Sequence, residues 1–161
     1  MFIRIKKIQG KDYAYHVENK RAHGKVKQKV KEYLGRVIMP SKSEDISFFE
    51  FIKSSPELYV QNKSYKEIIV DLTRWELTKH DLNDIAIDMN TYSVKKNNTP
   101  IVIKLNEGYL YSKTLSDLLN FQAVGDDEYF IGKEFAELFV KAGIDIPKEV
   151  FVKLFEKITR K

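Results

Sequence analysis

Three segments within the first 34 residues alternate apolar and polar side chains at period two. They are residues 2–8 (FIRIKKI), 13–18 (YAYHVE) and 25–34 (KVKQKVKEYL). Gln9-Gly10-Lys11-Asp12 separates the first two, and a polar loop over 19–24, ending in Gly24, separates the second from the third. Strict alternation suits a strand and not a helix, because successive strand side chains point to opposite faces. Short polar punctuation favours antiparallel neighbours. The pattern predicts a three-stranded antiparallel β-meander.

Charge follows the same boundary. Residues 1–42 hold 12 Lys/Arg against Asp12, Glu18 and Glu32, a net +9, while the remaining residues hold 16 against 20, a net −4. A basic module joined to a mildly acidic body points to a polyanionic partner for one end of the chain. By strand parity, one face collects Ile3, Ile5, Tyr13, Tyr15, Val17, Val26, Val30 and Leu34. The other collects Arg4, Lys6, His16, Lys25, Lys27, Lys29 and Lys31, with Tyr33 on the same side. Lysines at period two stand about 6.6 Å apart at the usual strand rise. Such a row can follow a nucleic-acid backbone at roughly every second phosphate, about 3.4 Å per phosphate along each strand. Arg4, Lys6, Lys25, Lys27, Lys29 and Lys31 are therefore the expected phosphate contacts. Tyr33 is positioned to stack on a base. The competing reading is a solvated lysine face that keeps strands from pairing with other chains.

The segment 40–43 reads as a linker. Beyond it, 45–53 (DISFFEFIK) has the pattern of a short amphipathic helix, with Phe48, Phe49 and Phe51 either core or a docking face. Ser64 and Glu67 have the spacing of a capping box for a helix to about Lys79. Asp81, with Leu82, Ile85, Ala86 and Met89 following, predicts another helix. A hairpin is expected over 101–112 (IVIKL, NEG, YLYS). Thr114 and Asp117 suggest a capped helix to about Phe121. A further helix over 133–142 should end at Gly143, and Pro147 should open the last one. These last two could form a helix-turn-helix, but the second reads EVFVKLFEKITRK, too apolar for a groove-facing surface. An αα-hairpin is expected instead.

The expected fold is α+β: an N-terminal three-stranded antiparallel β-meander (1–40), followed by a mostly helical body (44–161) containing one β-hairpin. No apolar run approaches the roughly 18 residues of a membrane span, and the N-terminus lacks a signal-peptide core. A cytoplasmic protein without membrane contact is expected.

The chain has no cysteine, so disulfides and thiolate chemistry are excluded. His16, His23 and His80 lack metal-ligand spacing. His16 falls on the cationic face, where it could add charge at lower pH. Asp126-Asp127-Glu128 reads as a solvated loop, and Asp81, Asp84 and Asp88 as a cap and a polar helix face. No glycine-rich phosphate loop, GxSxG or HExxH occurs. No catalytic residue, metal or cofactor is expected.

Residues 2–37 resemble the N-terminal segment of insertion-sequence transposases of the DDE class. The resemblance is carried by Val17, Glu18, Arg21, Gly24, Lys25, Gln28, Tyr33, Leu34 and Gly35, which fall in the pattern V-E-x-x-R…G-K-x-x-Q-x-x-x-x-Y-L-G. It covers about a quarter of the chain. It implies association with DNA and no transposase activity, since no spaced DDE triad can be assigned.

The sequence therefore points to a non-enzymatic nucleic-acid-binding protein, with DNA favoured over RNA. The alternative is a protein-interaction or homo-oligomerisation module acting through the helical body.

Overall fold

The computed structural model describes residues 1–41 and 43–160; Lys42, within the expected linker, and Lys161 lie outside the described residues. In chain order the elements are β1 (Phe2–Ile8), β2 (Lys11–Ala22), β3 (Lys25–Ile38), α1 (Phe48–Ile52), α2 (Pro56–Asn62), α3 (Tyr65–Lys79), β4 (Ala86–Asp88), β5 (Ser93–Lys96), β6 (Thr99–Leu105), β7 (Gly108–Leu110), α4 (Ser112–Leu119), α5 (Glu128–Ala142) and α6 (Lys148–Thr159).

The strands form one seven-stranded mixed sheet in the order β1-β2-β3-β6-β5-β4, with β7 also paired to β6. This corrects the expected architecture of a separate three-stranded meander and a body with a single hairpin. β3 runs on to Ile38 and pairs in parallel with β6, through Arg36↔Ile101, Val37↔Val102 and Ile38↔Ile103. Residues 1–40 thus share a sheet with the body. β6, flanked on both edges, carries the near-continuous apolar run expected of a central strand.

Two hairpin turns set the register of the meander. Gln9 and Gly10 have φ of 51° and 78°, and His23 and Gly24 have 53° and 73°. Two central residues at positive φ make a type I′ turn, whose twist matches the flanking strands. The expected loop over 19–24 is therefore strand as far as Ala22, closed by His23-Gly24.

Where β3 meets β6, Gly35 has φ 135°, and a Cβ there would lie 2.5 Å from the Pro100 carbonyl oxygen. Only glycine permits this approach.

The body keeps several expected caps. Ser64 accepts from the Glu67 amide at 3.2 Å, and Glu67 accepts from the Ser64 amide at 2.8 Å. α5 ends at the left-handed Gly143, and Pro147 caps α6. α5 begins earlier than expected because Asp127, in the acidic segment read as a loop, accepts from the Phe130 amide at 3.2 Å. α2 was not anticipated.

The expected helix after Asp81 is absent. Asp81 itself has φ 56°, and 86–88 is strand β4, paired with β5. Asp88 closes the connection by accepting from the Asn90 and Thr91 amides at 2.7 and 3.2 Å. Those amides hold its carboxyl below the usual range.

Ile101, Ile103 and Leu105 alternate onto one face of β6. There they join Ile68 and Leu72 of α3, Leu115 and Leu118 of α4, Phe135 and Phe139 of α5, and Val150 and Leu154 of α6. Phe48 is core: its ring lies 5.3 Å from those of both Tyr59 and Trp75. α6 likewise turns Val150 and Leu154 inward. On the other face of the sheet, Ala14, Leu34, Val37, Val102 and Tyr111 form a second, smaller cluster.

Candidate nucleic-acid interface

Pairing of β1 with β2 ends at Phe2↔Val17. Beyond it β2 and β3 continue as a two-stranded ribbon, and every residue from 19 to 33 is exposed. Five residues of strand from Glu18 to Ala22 reach about 16 Å. Residues 18–31 carry Lys20, Arg21, Lys25, Lys27, Lys29 and Lys31 against Glu18 alone. A cationic two-stranded ribbon is one of the shapes that fit a nucleic-acid groove.

Register sorts the side chains into two faces, since directly paired residues point the same way. Ala22↔Lys25, Lys20↔Lys27 and Glu18↔Lys29 lie on one face, followed by His16↔Glu32 and Ile3↔His16. Arg21↔Val26, Asn19↔Gln28, Val17↔Val30 and Tyr15↔Tyr33 lie on the other, with Arg4↔Tyr15 and Lys6↔Tyr13.

The lysine row over Lys25, Lys27 and Lys29 is thus real, and Lys31 adjoins it through an ion pair with Glu18 at 2.9 Å. That pair holds the Glu18 carboxyl below its ordinary range. Lys20, Lys25, Lys27 and Lys29 form no ion pair or hydrogen bond with any described residue. Lys20 was missed by sequence reasoning. The two-residue His23-Gly24 turn was the signal that could have found it, because it fixes Lys20 opposite Lys27.

Directly opposed like charges destabilise a sheet. The Lys20↔Lys27 pair, at an exposed site whose one acid in the ribbon, Glu18, is already paired with Lys31, is a local cost of the free protein that a bound polyanion would remove.

Four expected placements differ. Arg4 and Lys6 share the face of Tyr15 and Tyr13, opposite the lysine row. Arg4 Nη1 donates to Gln28 Oε1, a bond that spans β2. Tyr33 also lies on that opposite face, with its ring 5.3 Å from Tyr15 and 6.3 Å from Tyr13. Tyr13 and Tyr15 belong to neither hydrophobic cluster.

For Arg4 and Lys6 the physical reason is the register of β1 on β2, in which the Gln9-Gly10 turn pairs Ile8 with Lys11 and so sets Arg4 opposite Tyr15. For Tyr33 it is a pair of β-bulges in β3. The register shifts between Ala14 and Tyr15 and between His16 and Val17, so Leu34 and Lys31 are extra residues. Each extra residue inverts strand parity beyond it.

His16 is buried and not part of a solvent-facing cationic surface. Its Nε2 shares a 2.8 Å hydrogen bond with the Tyr111 hydroxyl, and Nδ1 lies 3.5 Å from Glu32. Burial pushes the Tyr111 phenol up to about 12.

Among the described residues, no three His, Asp or Glu side chains come together as a metal site would need. Among the described residues no helix is long and apolar enough to cross a membrane. Compared with known proteins, the chain matches no family model, no curated protein and no solved structure at a significant level.

Proposed function

We propose that the protein is a non-enzymatic, cytoplasmic nucleic-acid-binding protein, with DNA as its favoured ligand. The β2–β3 ribbon enters a groove and contacts phosphates through Lys20, Lys25, Lys27 and Lys29. The observation that carries this reading is the Lys20↔Lys27 opposition in a ribbon with six cations and one acid. Phosphate contacts of this kind set affinity and orientation and carry little sequence information.

The resemblance of residues 2–37 to transposase N-terminal segments points the same way. Val17, Gly24, Leu34 and Gly35 of that pattern have structural roles, in packing, turn and close approach. Arg21 and Lys25 stand exposed and are free to serve a ligand.

Removing residues 1–40 would strip β3 from β6, so the ribbon alone must be altered. A chain in which Asn-Gly replaces residues 18–29 closes the hairpin at Val17↔Val30 and leaves the sheet paired. It should lose affinity for a labelled duplex in fluorescence anisotropy while remaining folded. Retained affinity would refute the reading.

A second reading rests on Tyr129 and Phe130, 82% and 55% exposed at the start of α5. They would serve a protein partner or a second copy, and association through them would survive loss of the ribbon.

A further inference from the structure

The two faces of the meander differ in a way that net charge conceals. All three of its acids, Asp12, Glu18 and Glu32, lie on the lysine-row face, with six cations. The opposite face carries Arg4, Lys6, Lys11, Arg21 and Arg36 and no acid among the described residues. It also carries Tyr13, Tyr15 and Tyr33.

These tyrosines form an aromatic platform outside both cores. Tyr33 is 54% exposed, and it contacts Tyr15 and Tyr13 at centroid distances of 5.3 and 6.3 Å. Lys6 Nζ stands 5.0 Å over the Tyr15 ring. An aromatic cluster with Tyr33 exposed over the half-buried Tyr13 and Tyr15, ringed by cations and lacking carboxylates, is the surface that single-stranded nucleic acid requires. Unpaired bases stack on the rings while the backbone follows the positive charge. A duplex offers no base faces to such a platform. An acidic protein would use the charge and leave the rings without a matching planar partner.

We propose that the tyrosine face binds unpaired nucleotides, so that the protein takes single-stranded nucleic acid on the face opposite its phosphate-contacting lysine row. This rests on the nucleic-acid reading above and names a second ligand class for the same ribbon.

The test is anisotropy with a labelled single-stranded oligothymidine and a labelled duplex of equal length. The proteins are the wild type, Tyr33→Ala and Tyr33→Phe, each checked for folding by circular dichroism. Tyr33→Ala should weaken single-strand binding about tenfold, the loss of one stacked base. It should leave duplex binding within about twofold, since phosphate contacts do not involve the ring. Tyr33→Phe, which keeps the ring, should retain single-strand affinity. Duplex binding without single-strand binding, or an equal effect of Tyr33→Ala on both ligands, would overturn this inference and leave the lysine-row reading standing. Binding of neither ligand would overturn both. Displacement of the oligothymidine by polyglutamate at equal charge concentration would show a surface that reads charge alone, and would also overturn it.

Discussion

His16 and Tyr111, 95 residues apart in the chain, share a buried 2.8 Å hydrogen bond that joins β2 to the residue linking β7 and α4. The bond belongs to the joint between the basic sheet and the body, beside Val37 and Val102 of the second cluster. Tyr111→Phe removes one partner and leaves a buried imidazole nitrogen unsatisfied, at a cost of about 1–3 kcal/mol. Urea unfolding followed by circular dichroism measures it, and a cost near zero would mean the bond contributes nothing to the joint.

Tyr111 also sets an alkaline limit. Its phenol is pushed up to about 12 from the ordinary 10.0, first by burial and then by Asp117 and Glu32. Burial raises Tyr59 and Tyr65 as well. A folded-state value above the unfolded one means the native chain holds its proton longer. The stabilisation is complete below about pH 10 and is lost as pH rises from there toward 12 and beyond. Stability should fall across that range, and flat stability from pH 9 to 12 would contradict the burial of these phenols.

Gly35→Ala should destabilise the protein by more than about 2 kcal/mol, because the added carbon meets backbone and the residue sits at positive φ. Thermal unfolding is the readout. A matching Gly24→Ala, at the open ribbon tip where a Cβ meets nothing, should cost less and from strain alone.

Glu76 is fully buried on α3. It accepts from the Asp145 amide and from Asn106 Nδ2, both at 3.0 Å, and pairs with Lys79 at 3.1 Å. Lys79 is itself buried, 3.8 Å over the Trp75 ring. Glu76→Ala leaves that ammonium without one of its two carboxylates, and should cost about 3–5 kcal/mol in denaturant unfolding. The wet and partly exposed Lys113–Asp117 pair should cost well under 1 kcal/mol when broken.

The caps were legible in the sequence because they are local. Ser64 and Glu67, Gly143 and Pro147 act on their immediate neighbours, and each stands where its spacing implied. The β3–β6 pairing was not legible, since Arg36 and Ile101 are joined by no local pattern. Asp81, Asp84 and Asp88 fall at helical spacing by coincidence, and tertiary pairing with β5 decided in favour of a strand. For the candidate site, the lysine row at 25, 27 and 29 was readable from alternation alone. Tyr33 was placed on its face because alternation carries no sign of the bulge at Lys31, and Arg4 and Lys6 because alternation within β1 does not fix its register on β2.

Opposed lysines should show their cost in the free protein. Lys27→Glu places an acid across from Lys20 and should stabilise the unliganded chain by about 0.2–1 kcal/mol. The same change should weaken duplex binding. A variant that is less stable and binds as before would reverse the assigned role of this pair.

The most direct measurement is the salt dependence of duplex affinity by fluorescence anisotropy. It compares the wild type with a variant carrying Gln at positions 20, 25, 27 and 29. At about −0.9 per phosphate, four contacts predict a log–log slope that flattens by about 3.6 in the variant. An unchanged slope, or no wild-type binding at low salt, would contradict the lysine row as the phosphate-contacting surface.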